Sequence, residues 1–191
     1  MRSLSKPLAV VAVVLLVLML GAFWAFRGRS GSTWWGGIPM TNINTYGQAL
    51  PASLPQSSLL DTNGNTVNPR DQIRTAPVTL LVFFATYDTP WSDNVKIAKQ
   101  VNQDMTKDGV RVIAIDEEET QGTVTAFVAT EGLTFTVLRD KDGSFLRPIG
   151  TPHGVEQMIL VDNSGNILAR PEGKSDSIAA IKEALRGQGK H

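Results

Sequence analysis

The chain has 191 residues, 42% apolar and 19% charged, a composition that suits one packed domain with appendages and excludes wholesale disorder. Lys and Arg total 18 and Asp and Glu total 18, so the basic surplus expected of a nucleic-acid binder is missing. There is no cysteine, which excludes disulfides, thiol nucleophiles, thiol redox chemistry and cysteine-ligated metals, and leaves the redox compartment unmarked.

Residues 1–7 read as a short N-terminal tail and residues 8–26 as one transmembrane helix. From Leu8 to Phe26 no residue is charged and nearly all are Val, Leu, Ala, Phe or Trp. As a helix that stretch is about 28 Å long, against a hydrocarbon thickness of about 30 Å. The rival reading is a cleaved signal peptide, which ends in small residues before the cut. Here the run leaves through Ala22-Phe23-Trp24-Ala25-Phe26, and a retained anchor is expected. Arg2 and Lys6 nearly balance Arg27 and Arg29 under the positive-inside rule. The expected orientation places the N-terminus in the cytoplasm and the bulk of the chain outside it.

Residues 27–53 read as a linker. Between Ser30 and Leu60 there is no Asp, Glu, Lys or Arg, and Gly31, Gly36, Gly37, Pro39 and Pro51 interrupt regular elements. A flexible tether is one reading, yet tethers usually carry charge and few aromatics. This one holds Trp34, Trp35, Ile38, Met40, Ile43 and Tyr46. The other reading therefore lays it along the bilayer surface or along neighbouring subunits, with Trp34, Trp35 and Tyr46 as contacts.

Residues 54–191 read as alternating strands and helices around a central sheet covered on both faces. Ser58–Asp61 and Asn65–Val67 form a hairpin turning at Asn63-Gly64. Val78–Ala85 is a continuous apolar run of strand length, fit for a central strand. Asp93–Asp108 carries Val95, Ala98, Val101 and Met105 at helical spacing, and Gly109 stops it. Val110–Asp116 is a second central strand, Thr123–Thr130 a short helix, and Phe135–Leu138 and Met158–Val161 further strands. Asp162–Asn166 is a turn into Ile167–Arg170, and Ser177–Arg186 is a closing helix with Ile178, Ile181 and Leu185 inward. Glu117-Glu118-Glu119 reads as a solvated loop, and Asp140-Lys141-Asp142-Gly143 as a turn.

The run Val78-Thr79-Leu80-Leu81-Val82-Phe83-Phe84-Ala85-Thr86-Tyr87-Asp88-Thr89-Pro90-Trp91 resembles the strand and active-site loop of membrane-anchored thioredoxin-like proteins of the kind that maintain cytochrome c thiols in the bacterial periplasm. The resemblance continues through Gly109–Asp116, Gly132–Leu138, Asp140–Gly143, Ile159–Asp162 and Gly165–Ile167, about two-thirds of the chain. It implies an α/β thioredoxin-like fold with a mixed central sheet and helices on both faces, preceded by the transmembrane helix. It also implies a periplasmic domain on a single-pass protein of the inner membrane.

The departures from that family bear on function. Its Trp-Cys-x-x-Cys places tryptophan at Tyr87, the attacking cysteine at Asp88 and the resolving cysteine at Trp91. Its cis-proline position, counted back from Asp162, is occupied by Glu156. Neither a carboxylate nor an indole attacks a disulfide, so redox activity carries over to no residue. Asp88 suits a helix N-terminus as an ordinary first-turn acid, with acid catalysis there as the alternative. The resemblance places Tyr87, Pro90 and Trp91 where the family docks its protein substrates, either as a docking patch or as plain packing. His153 and Glu156 are too few ligands for a metal site. No nucleophile elbow and no phosphate loop is present, and no cofactor is expected. The expected function is a non-catalytic accessory or scaffolding subunit of a membrane complex, contacting other subunits through anchor, linker and aromatic loop. The alternative is a free envelope chaperone or assembly factor using the former redox groove.

Overall fold

The computed structural model describes residues 52–87, 91–149, 157–171 and 173–188, together with the backbone of Trp34–Trp35 and Ile38–Pro39. The predicted transmembrane segment 8–26 and most of the linker lie outside these residues. Among the described residues no helix is long and apolar enough to cross a membrane. The chain divides into two units, residues 1–42 and 43–191. In the first, Trp34–Trp35 pairs antiparallel with Ile38–Pro39, a short ladder within the stretch expected to be extended or looped.

The second unit is built on seven strands: β1 (Leu59–Asp61), β2 (Thr66–Val67), β3 (Val78–Phe84), β4 (Val110–Glu117), β5 (Thr136–Asp140), β6 (Met158–Asp162) and β7 (Ile167–Ala169). Their order across the sheet is β2-β1-β5-β4-β3-β6-β7. β4 runs parallel to both β3 and β5, and the other neighbours are antiparallel. Every residue of β3 is buried, as its unbroken apolar sequence requires of a strand covered on both faces. The central sheet is therefore mixed, as expected.

The helices are α1 (Pro69–Ile73), α2 (Trp91–Met105), α3 (Gln121–Glu131), α4 (Leu146–Ile149) and α5 (Gly173–Gln188). Strand alternation sends Leu80, Val82, Val112 and Leu160 to one face, where α2 and α5 cover them with Ile97, Ala98, Val101 and Ile181. Phe84, Ala114 and Val137 continue that face beneath α3, with Phe84 stacked 4.9 Å from Phe127. Leu81, Phe83, Ile113, Ile115, Ile159 and Val161 take the opposite face and meet Ile73, Phe145, Leu146 and Ile149. A side chain on Gly109, at φ 89, would press on Pro77, so the turn there calls for glycine.

Sequence periodicity missed α1 and α4, each about one turn long. Both are specified by single polar residues. Asn68 caps α1 through Oδ1, which accepts from the Arg70 backbone N–H at 3.0 Å. The Asp140 carboxylate anchors the entry to α4. The predicted hairpin turns are built on one plan. Asp61 Oδ1 accepts from the backbones of Asn63 and Asn65, and Asp162 Oδ1 from those of Ser164 and Asn166.

The entering chain is fastened to the outer edge at β7. Leu54 N–H donates to Gly165 O at 2.9 Å and Ile167 N–H to Ala52 O at 2.8 Å. Arg70 closes the clasp, donating through Nη1 to Ser164 O at 3.2 Å and through Nη2 to Leu54 O. Arg70→Met keeps the stem and removes these donors. It should cost about 1–2 kcal/mol in urea unfolding and speed hydrogen exchange at Leu54; unchanged exchange there would show that the clasp contributes nothing.

Candidate functional site

Because β3 and β4 are parallel, their C-terminal ends open on the same end of the sheet. Phe84 at the end of β3 lies beside Asp116, which in turn pairs with Arg139 of β5. Beyond β3 come buried Ala85, half-buried Thr86 and exposed Tyr87, and α2 starts at Trp91. The tip of this connection is the segment the sequence singled out.

Asp116 is fully buried. Its Oδ2 accepts from the Glu119 backbone N–H at 3.2 Å, while its Oδ1 is buried with no donor. Burial foremost, and then contact with the Glu119 carboxyl, push Asp116 up to about 9. Glu119 reaches across to the strand β3 connection: Oε2 accepts from the Thr86 backbone N–H at 2.6 Å and Oε1 from the Thr86 hydroxyl at 2.5 Å. Arg139 steadies the far side, donating to Glu119 O at 3.0 Å and to Gln121 Oε1 at 3.3 Å. The Glu119 carboxyl thus grips the residue that precedes Tyr87, with the Asp116 carboxyl beside it.

Tyr87 is 64% exposed. Its phenol is pushed up first by its partial burial and then by the charges of Glu117, Glu119, Asp116 and Glu118. The aromatic ring therefore stands in water within the field of nearby acids. Glu118, in the bend after β4, has φ 58, the sole positive value among described non-glycine residues, and it pairs with Arg147 at 2.9 Å. Gly143 lies beside this pair at φ 68, a left-handed conformation that suits glycine, and a Cβ there would displace the ends of the Glu118 and Arg147 side chains.

The expectation of a solvated Glu117–Glu119 loop is corrected. β4 runs one residue past the predicted Asp116, which buries Glu117, and Glu119 turns back to Thr86 rather than out to solvent. Of the residues singled out by sequence, Tyr87 lies exposed at the head of the loop and Trp91 is the first residue of α2. Trp34 and Trp35 lie in the short ladder of the first unit. Tyr46, Asp88, Pro90 and Glu156, and the Trp91 side chain, lie outside the described residues, as does His153. The group that sequence reasoning overlooked is Asp116, Glu119 and Thr86. An aspartate closing a Val-Ile-Ala-Ile run bounded by buried strands was the available signal. Among the described residues no group of three or more His, Asp or Glu is placed to hold a metal ion.

The family model described as Redoxin matches residues 47–185. No curated protein matches the sequence. Among solved structures, a chain from Chlorobium tepidum assigned as the thiol:disulfide interchange protein DsbE is 25% identical with a TM-score of 0.63, covering 72% of this chain and 99% of its own. A chain from Neisseria meningitidis assigned as a thioredoxin is 26% identical with a TM-score of 0.59, covering 71% and 92%. A hypothetical protein of Sinorhizobium meliloti 1021 is 21% identical with a TM-score of 0.61, covering 73% and 85%.

Proposed function

The chain belongs to the redoxin family, with its thioredoxin-like fold, and on that premise we propose that it is a redox-inactive accessory or scaffolding subunit of a membrane protein complex. One observation carries the reading. At the head of the connection from β3 to α2, Glu119 grips Thr86 and Tyr87 stands exposed, next to the two positions where the family carries its cysteines, in a chain without cysteine. Thiol exchange requires a thiolate. Asp88 and Trp91 occupy the two cysteine positions, so the site has surface and shape to offer and no sulfur nucleophile.

The uncharged, aromatic linker and the apolar run 8–26 support the rest of the reading. The run anchors the chain in the inner membrane with the N-terminus cytoplasmic and the domain periplasmic. Trp34, Trp35 and Tyr46 meet lipid or neighbouring subunits, and Tyr87, Pro90 and Trp91 meet a protein partner. An energy-transducing complex, respiratory or photosynthetic, is the partner this placement suits.

Extraction of the full chain in mild detergent, followed by sizing and identification of what travels with it, tests the proposal. A stoichiometric complex is the expected result; a lone monomer would favour the transient chaperone reading. Tyr87→Ala should leave unfolding stability within about 0.5 kcal/mol, since the ring is exposed, while weakening partner retention at least several-fold. Equal retention by native and variant chains would remove Tyr87 from the interface.

A further inference from the structure

We infer that Asp116 and Glu119 hold one proton between them, and that this proton fastens Thr86, so that its loss to solvent loosens the loop bearing Tyr87. The starting point is an orphan: Asp116 Oδ1 is buried and no donor reaches it, although the residue is fully inaccessible. An ionised carboxylate there would be an unpaired buried charge. The neighbouring acceptor is itself a carboxyl, that of Glu119, within hydrogen-bonding contact. Two anions in contact repel, whereas one shared proton makes the same contact an O–H···O hydrogen bond.

The proton's position follows from the partners. Both oxygens of Glu119 accept from Thr86, which identifies Glu119 as the anionic member and Asp116 as the donor. The groups facing the pair are Tyr87 after β3, which feels both carboxyls, and Arg139 of β5, the strand partner of Asp116; Glu117 and Asp140 alternate to the other face of the sheet, and Glu118 on the bend is held by Arg147 of α4. Arg139 is the cation among these closest to the pair, and its Nη atoms are engaged with the Glu119 carbonyl and Gln121. When the Asp116 proton leaves, a second negative charge appears against Glu119 without a new counter-ion. Repulsion then withdraws Glu119, and the amide and hydroxyl of Thr86 lose their acceptors.

The consequence for partner binding rests on the docking reading above; the clamp itself does not. The test uses the full chain in a Tyr87→Phe background, so that the phenol does not titrate. Infrared spectroscopy should find the carbonyl stretch of a protonated carboxylic acid at neutral pH, lost in Asp116→Asn and in Glu119→Gln. In Glu119→Gln the amide can donate to Asp116, which no longer needs the proton; this variant decides the matter should Asp116→Asn fold poorly. The Thr86 amide resonance should move on raising the pH, with the same midpoint at which the acid band disappears. Absence of the band at neutral pH, its survival in both variants, or a Thr86 amide that ignores its disappearance would each overturn the inference. Absence of a co-purifying partner would leave these spectra unchanged, so the two proposals fail separately.

Discussion

Asp116→Asn is expected to stabilise the protein by about 2–4 kcal/mol at pH 8 and by close to nothing near pH 4. The folded state holds Asp116 up at about 9 against an ordinary value of 3.8. Below 3.8 both folded and unfolded chains carry the proton, and the difference vanishes. Above it the unfolded chain releases its proton while the folded chain keeps it, so the native protein loses stability as the pH climbs towards about 9. Asparagine is neutral throughout, nearly the same shape, and can donate to Glu119 where the acid did. Urea unfolding at the two pH values measures the effect. Equal destabilisation by Asp116→Asn at both would mean that the native carboxylate is ionised and paired.

Asp140→Ala should have the opposite sign, a loss of about 2–4 kcal/mol. Asp140 is 1% exposed, and its Oδ2 accepts from the backbone N–H groups of Phe145 at 3.0 Å and Leu146 at 2.8 Å. Phe145, Leu146 and Ile149 fill the core face that α1 and α4 cover. Alanine would orphan two buried donors and leave a void beside them. Asp140→Asn retains an acceptor, and burial already pushes the native carboxyl up. Its cost should stay within about 1 kcal/mol. If Asn is as damaging as Ala, the charge rather than the hydrogen bonds holds α4 in place.

These two aspartates also mark where sequence reading reached its limit. The strands β3 and β4 were legible because an apolar run of strand length has one economical use, a central strand buried on both faces. Gly109 and Gly132 marked helix ends because only glycine accepts their positive φ cheaply. The short helices α1 and α4 were not legible, since a helix of four or five residues has too few positions to show a period. The Asp116–Glu119–Thr86 group was hidden for another reason. Its members come from β4, the bend after it and the connection after β3, and their sequence neighbours Glu117 and Glu118 made the run look solvated. Burial of an acid is decided by what packs around it, which local patterning does not report. Tyr87 was legible as a candidate through its position after Ala85-Thr86, and the fold adds that it stands exposed within the field of nearby acids.

The central claim is that a thiol-exchange frame persists here without its sulfur atoms. Disulfide-reductase turnover, measured on the purified full chain alongside an Asp88→Cys, Trp91→Cys double variant, tests it most directly. No turnover by the native chain is predicted, together with formation of an internal disulfide and measurable turnover in the double variant. Turnover by the native chain, or two introduced cysteines that never pair in a folded protein, would contradict it.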